Sequence, residues 1–216
     1  MEIVRKGRSL SEDQLDYMRE NGVPEWYIES CLKIKYLFPK AHAVAYCLMS
    51  YRIAYYKVYY PAAFYATYFN TKLSDFVYSI IINGLESIQV ALKSYAQRFD
   101  LTARDEGIRK VLEVAEEMYA RDIKIDRADL YKSHASKFIL SEKEGYILPP
   151  LSSVDNVSEA MAIDIVNERD KGEFISIEDL NKRTAVNKNA LESLKNFGII
   201  DGLGEKNQMS LFDGMF

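Results

Sequence analysis

The residues best suited to chemistry lie between Ser30 and Ser74, in a stretch that is basic, aromatic and free of acidic side chains. It contains six Lys or Arg residues, nine tyrosines and three phenylalanines, although the whole chain carries a formal net charge of −4. A cationic surface with many flat rings suits a polyanion whose bases can stack on those rings. We therefore predict that nucleic acid or a nucleotide binds here.

Within this stretch, the strongest candidates lie along a long helix predicted to begin at Pro39. The first turn of a helix offers free N–H groups and a positive dipole end to phosphate, and Lys40 adds a full charge there. His42 and Tyr46, four residues apart, share one helix face. Arg52 extends the cationic face among three further tyrosines, which are Tyr55, Tyr56 and Tyr59. For any single tyrosine, half-buried packing is the commoner role.

The elements that must position these residues are mainly helical. Short helices are expected between residues 9 and 37, and the long helix is expected to kink or restart at Pro61. Further helical patterns cover residues 74–100, with a break at Asn83-Gly84, and residues 104–121. Residues 137–148 have the pattern of a β-hairpin. We predict three parts: a helical domain over residues 1–148 ending in that hairpin, a small helical domain over residues 149–201, and a flexible tail over residues 202–216.

A second candidate site is the segment Val154–Arg169, which resembles a helix-hairpin-helix motif. Such motifs grip duplex DNA through bare N–H groups in a tight turn, where glycine is the usual residue. Here Asn156 and Ser158 take the glycine positions. Asn tolerates a left-handed conformation and Ser caps helices, so the turn can still form. A purely structural hairpin is an equally good interpretation, because Asp155 and Glu159 add negative charge.

A second hairpin unit follows, with helices predicted over residues 174–183 and 189–197. Three basic residues cluster at its turn, namely Lys182, Arg183 and Lys188. An ordinary solvated turn explains this cluster as well as DNA binding does.

The composition argues against a zinc site, a signal peptide and a membrane-spanning segment. Cys31 and Cys47, the only cysteines, are predicted to be reduced core residues of a cytoplasmic protein, and their spacing indicates no zinc site. The N-terminus has no apolar run typical of a signal peptide, and two charges inside the tyrosine-rich stretch argue against a membrane span. Asp122 and Asp126 are interpreted as part of an exposed helical turn and not as metal ligands.

The segment KYLFPKAHAVAYCLMSYRIAYYKVYYPAAFYATYF, together with VRKGRSL, VPEWYIESCLKIKY and ADLYKS, resembles the fingers of C-family bacterial replicative DNA polymerases of the PolC type. The resemblance covers essentially the whole chain. It implies a fingers-like domain, then a duplex-binding domain, with nucleotide or template contacts at Lys40, His42, Tyr46 and Arg52. Arg5, Lys6 and Arg8 are weaker candidates for phosphate contact.

The terminal segment QMSLF resembles the peptide by which bacterial replicative polymerases bind their sliding clamp. The resemblance implies that Gln208 hydrogen-bonds at the edge of a pocket on the clamp while Leu211 and Phe212 fill it. Met209 stands where leucine is usual, which conserves volume.

Catalysis by the PolC type requires paired carboxylates that hold two Mg²⁺ ions. The family carries them in a palm domain that precedes the fingers, so this chain alone is expected to bind no metal and to be inactive. The resemblance thus implies DNA, a sliding clamp, a deoxynucleoside triphosphate and the upstream palm as partners. Two alternatives remain: a non-enzymatic DNA-binding or clamp-tethered accessory protein, and a helical remnant without a DNA function.

Overall fold

A computed structural model of the chain describes residues 2–34 and 39–206. These described residues form two compact units, divided between Tyr55 and Tyr56. The described residues are mainly helical, as the sequence predicts. The helices are α1 (Glu2–Arg5), α2 (Glu12–Glu20), α3 (Glu25–Lys33), α4 (Lys40–Tyr59), α5 (Pro61–Thr71), α6 (Tyr78–Ile81), α7 (Leu85–Ala96), α8 (Ala103–Ala120), α9 (Glu159–Arg169), α10 (Ile177–Arg183) and α11 (Lys188–Asn196).

The first unit has a small core beneath its short helices. The buried side chains are Val4, Leu15, Ile28 and Cys31. Cys31 therefore has the core position that the sequence predicts, whereas the same prediction for Cys47 is wrong. Cys47 is an exposed free thiol on α4, because that helix buries no side chain that could form a core around it.

Pro61 and Gly84 interrupt the helices where the sequence predicts. Pro61 is the first residue of α5, where its missing N–H is tolerated. Gly84 has φ +86° and precedes α7, a conformation that favours glycine. The break at Pro61 separates α4 from α5, and the break at Gly84 separates α6 from α7.

The second unit contains a three-stranded sheet in the order β1-β3-β2, where β1 is Lys124–Ile125, β2 is Ile139–Leu140 and β3 is Tyr146–Leu148. β2 and β3 form the predicted antiparallel hairpin. β1, which pairs in parallel with β3, is not predicted because two residues carry no alternating pattern.

The interpretation of Asp122 and Asp126 as one helical turn is wrong. α8 ends at Ala120, Asp122 has φ +60° in the turn that follows, and Asp126 comes directly after β1.

The outer edge of β2 is covered by α5, since the Asn70 side-chain amide donates to the Phe138 carbonyl (3.2 Å) and accepts from the Phe138 N–H (2.7 Å). This contact protects an otherwise open strand edge.

A single hydrophobic core fills the second unit and includes residues on both sides of Pro149. Its largest fully buried side chains include Tyr65, Phe69, Ile88, Leu112, Ile147, Leu151, Ile165 and Leu180. At the start of the segment predicted as a tail, the Ile177 N–H donates to the Gly204 carbonyl (2.8 Å). The domain boundaries near residues 148 and 201 stay a prediction.

Candidate nucleic-acid interface

Helix α4 has no buried residue, and all of its residues are exposed except Ala43 and Lys57, which are partly exposed. Its tyrosines are not the half-buried packing residues that are commoner in proteins, because Tyr46 is 62% exposed and Tyr51 75% exposed. Tyr65 and Tyr78, which lie after the helix, do belong to the core. The aromatic surface on α4 is therefore open to a ligand.

Lys40 and Arg52 are exposed on this helix, and neither forms an ion pair with a carboxylate in residues 2–34 and 39–206. α4 begins at Lys40, one residue later than predicted, and the Pro39 carbonyl accepts from the Ala43 N–H (3.0 Å). The His42 and Tyr46 rings meet edge to face at 4.5 Å, which confirms that they share one face. These four predicted residues thus lie on one exposed helix.

The last turn of α4 is held by α8. Lys57 Nζ lies 2.7 Å from the nearer carboxylate oxygen of Glu117, and Arg121 donates to the Lys57 carbonyl (2.9 Å) and to the Tyr65 hydroxyl (3.2 Å). The hydrogen bond from Lys57 lowers the pKa of Glu117, and burial raises the pKa of Tyr65. Lys57 is therefore neutralised, in contrast to Lys40.

The Lys57–Glu117 pair makes a testable contribution to stability. Because the folded pKa of Glu117 lies below its ordinary value of 4.5, its contribution is present above that value and is lost as the pH falls further. Glu117 is 43% exposed, so we expect less than about 1 kcal/mol. Urea unfolding of the Glu117→Gln variant near neutral pH should show this loss, and near pH 3 its difference from the parent should shrink. A constant difference at both pH values would contradict the assignment.

The turn of the first hairpin forms without glycine. Asn156 has φ +65°, the left-handed conformation that the sequence predicts for it, and Ser158 caps α9 by accepting from the Met161 N–H (3.2 Å). The helix before the turn is reduced to a 3-10 turn over Leu151–Ser153. The Asn156 side chain donates to Ser193 Oγ (2.9 Å) on α11, so it links the two hairpins and faces inward.

Replacing Asn156 tests this turn. Asn156→Ala should lower the free energy of unfolding by about 2–3 kcal/mol, since alanine disfavours the left-handed region and cannot donate to Ser193. Asn156→Gly restores the usual motif residue and should cost about 1 kcal/mol, for the missing hydrogen bond alone. Equal losses for the two variants in urea unfolding would show that the backbone conformation at this position is unimportant.

The three basic residues of the second hairpin differ in their surroundings. Arg183 donates to the carbonyls of Gly172 (2.9 Å), Glu173 (3.2 Å) and Glu168, and its guanidinium lies over the Phe174 ring. It also pairs with the Asp179 carboxylate. These contacts favour the structural interpretation for Arg183 over a contact with DNA.

Lys182 and Lys188 remain at the surface. Lys182 makes only an exposed pair with Glu178, one turn earlier in α10. Lys188 is the first residue of α11, and within the described ranges it has no carboxylate partner. Asn187 caps this helix by accepting from the Ala190 N–H (2.9 Å). The two lysines can therefore reach a phosphate backbone, whereas Arg183 is held by its hydrogen bonds within the hairpin.

Two further sets of predicted residues complete the survey. Arg5 and Lys6 both pair with Glu2, at 2.7 and 3.2 Å, and the hydrogen bond from Arg5 is the main cause that lowers the pKa of Glu2 to about 2. Arg8 is exposed. The clamp-binding residues predicted in the tail lie outside the described residues; they are Gln208, Met209, Leu211 and Phe212.

The chain is similar in sequence to known proteins. A family model described as a helix-hairpin-helix motif matches residues 122–209, which include both hairpins. Proteins named DNA polymerase III PolC-type are similar to the chain over 213 residues. The identity is 51% for Caldanaerobacter subterraneus subsp. tengcongensis, 47% for Clostridium perfringens and 42% for Bacillus subtilis, covering 98% of this chain in each case. The chain belongs to the PolC-type DNA polymerase III family. It spans about 15% of the length of these relatives.

Two structural findings bear on other classes of site. In residues 2–34 and 39–206, no group of three or more His, Cys, Asp or Glu side chains is arranged to hold a metal ion. Among the helices of those residues, none is both long and apolar enough to cross a membrane.

The contacts of Glu117 and Arg121 with the end of α4 were not predicted, because no sequence pattern links residues sixty positions apart.

Proposed function

We propose that this chain holds incoming nucleotide, primer–template DNA and the sliding clamp for a PolC-type replicative DNA polymerase. The observation that carries the proposal is the surface of α4, where Lys40 and Arg52 are exposed without carboxylate partners among exposed tyrosines. Unpaired cations beside open rings favour a ligand that has both phosphates and bases.

At α4, Lys40 and the first N–H groups of the helix would bind phosphate oxygens. His42 and Tyr46, in contact with each other, would face the base or sugar, and Arg52 would contact the template strand or the nucleotide. Membership of the PolC-type family supports this assignment, because the family's polymerase activity requires a nucleotide-facing surface.

The two hairpins would hold duplex DNA without reading its sequence. At the first turn, with Asn156 in the left-handed region and Ser158 as cap, the remaining free N–H groups at the start of α9 would bind phosphate oxygens. Lys188 would add an unpaired positive charge at the second turn, and Lys182 would exchange its exposed partner Glu178 for phosphate. The match of residues 122–209 to a helix-hairpin-helix model supports this role.

The tail would tether the polymerase to its clamp. Leu211 and Phe212 would fill an apolar pocket on the clamp while Gln208 hydrogen-bonds at its rim and Met209 packs beside them. A weak clamp contact joined to weak DNA contacts on the same chain gives a long residence on DNA through avidity.

The chemistry of nucleotide transfer would come from outside this chain. Mg²⁺ held by paired carboxylates would stabilise the attacking and leaving oxygens, and the described residues do not provide such a cluster. In this proposal the chain binds and orients substrate, and we expect the isolated chain to be inactive.

A chimera tests this proposal against the accessory-protein alternative. The matching segment of the Bacillus subtilis relative is replaced by this chain, and primer extension is measured in the presence of Mg²⁺. We expect extension, and we expect the isolated chain to give none. A folded chimera that binds DNA but does not extend the primer would favour the accessory-protein alternative.

A further inference from the structure

We propose that Lys124, Lys143 and Tyr146 form an additional phosphate-binding site for duplex DNA on the outer face of the sheet, separate from both hairpin turns and from α4. The site lies within the segment that matches the helix-hairpin-helix model, but its residues belong to β1, β3 and the loop before β3. It extends the proposed DNA contacts and therefore rests on the proposed function.

The sheet brings the three side chains together. Lys124 and Tyr146 are register partners in β1 and β3, so their side chains emerge on the same face. Ile125 and Ile147, the next pair in the register, are buried on the opposite face. Lys143, in the loop between β2 and β3, places Nζ 3.6 Å from the centre of the Tyr146 ring.

Two positive charges therefore converge on one phenol. The hydrogen bond from Lys143 and its charge, followed by the charge of Lys124, lower the pKa of Tyr146. Cations close to a phenol favour its ionised form, which is the physical cause of this shift. Both lysines therefore lie beside the same phenol, one as its register partner and the other over its ring.

The nearby carboxylates form no ion pair with these lysines, although the charge of Asp126 partly offsets theirs at Tyr146. Asp126 accepts from the Ser141 hydroxyl (2.9 Å), and Glu142 pairs with Lys132 (2.9 Å). Within the described parts of the chain, neither Lys124 nor Lys143 has an ion-pair partner. Like charges on neighbouring side chains repel each other, and an anion bound beside them reduces that repulsion.

Duplex DNA is the anion that best fits this position. A phosphate backbone offers repeated charges along a rigid line, and the sheet belongs to the same compact unit as the two hairpins proposed to bind DNA. The exposed lysines and the tyrosine hydroxyl are donors to phosphate oxygens, and the site carries no group suited to reading bases.

The test is the affinity of the whole chain for a blunt DNA duplex as a function of salt. The Lys124→Ala/Lys143→Ala variant should bind about tenfold more weakly at low salt, and the slope of log K against log salt should become less steep by about 1–2 units. Lys93→Ala/Lys110→Ala removes the same charge from exposed positions on α7 and α8 and is the matched control. ¹³C-tyrosine NMR of the Lys143→Ala variant should show a raised pKa for Tyr146.

The outcomes separate this inference from the proposed function. If the Lys124→Ala/Lys143→Ala variant keeps the parent affinity and slope while changes on α4 or the hairpins weaken binding, the sheet site is wrong and the proposed function stands. If the parent chain shows no salt-dependent duplex binding, the proposed function fails with it. A decrease in affinity equal to that of the control would also overturn the sheet site.

Discussion

Replacing both Lys40 and Arg52 with alanine is expected to weaken binding of primer–template DNA roughly tenfold to hundredfold at low salt. Both side chains are exposed on α4 and lack carboxylate partners within the described residues, so they are free to pair with phosphate. The slope of log K against log salt should become less steep by about 2 units, because each variant position removes one cation that neutralises a phosphate. Fluorescence anisotropy across a salt series measures both quantities.

A matched control separates this effect from a change in total charge. Lys93→Ala/Arg104→Ala also removes two exposed positive charges, from α7 and α8. We expect its affinity to stay within about twofold of the parent, because charges that are distant from the ligand are screened at moderate salt. Equal losses of DNA affinity for the two double variants would show that Lys40 and Arg52 act only through the total charge of the chain and not by direct contact with DNA.

The Leu211→Ala/Phe212→Ala variant is expected to bind a bacterial sliding clamp more than about a hundredfold more weakly than the parent does. Large apolar anchors that fill a pocket carry most of the binding energy of such a peptide. The affinity of this variant for duplex DNA should equal that of the parent, since no DNA contact is proposed for the tail. Surface plasmon resonance against immobilised clamp and against immobilised duplex gives both numbers.

The same tail supplies the control for this prediction. Met215→Ala/Phe216→Ala removes a methionine and a phenylalanine from the terminus but leaves the motif of residues 208–212 intact. We expect it to bind the clamp as the parent does. Undiminished clamp binding by the Leu211→Ala/Phe212→Ala variant would show that the tail does not bind the clamp. Comparable losses for both variants would show nonspecific hydrophobic binding.

The helices could be predicted from the sequence because their signals are local. The apolar spacing of α8, the proline at the start of α5 and Gly84 before α7 each act within a few residues. The left-handed conformation of Asn156 was likewise predictable from the residue type at that position. These elements depend little on the rest of the chain.

Other features depend on contacts between distant residues. β1 exists because β3, more than twenty residues later, pairs with it. Tyr46 and Tyr65 are both tyrosines in helices, yet one is exposed and the other is completely buried, since only Tyr65 faces the core. Arg183 belongs to a basic cluster in the sequence, but the fold directs it to carbonyls of the preceding loop.

The same limit applies to the candidate site. Lys40 and Arg52 could be selected from the sequence because a long stretch without acidic residues leaves them without local partners. Lys57 lies in the same stretch, but it pairs with Glu117 from α8, sixty positions away, which no local pattern indicates. The convergence of Lys124 and Lys143 on Tyr146 likewise requires the register of the sheet.

Photocrosslinking to primer–template DNA that carries 5-iododeoxyuridine tests most directly whether the aromatic surface of α4 contacts nucleic acid. Trypsin cleaves after Lys40 and Arg52, so the peptide of residues 41–52 reports on Tyr46 and Tyr51 together. We predict adducts on this peptide, and their disappearance when unmodified DNA is added as a competitor. Adducts confined to other peptides, in a complex that binds DNA with normal affinity, would contradict the account.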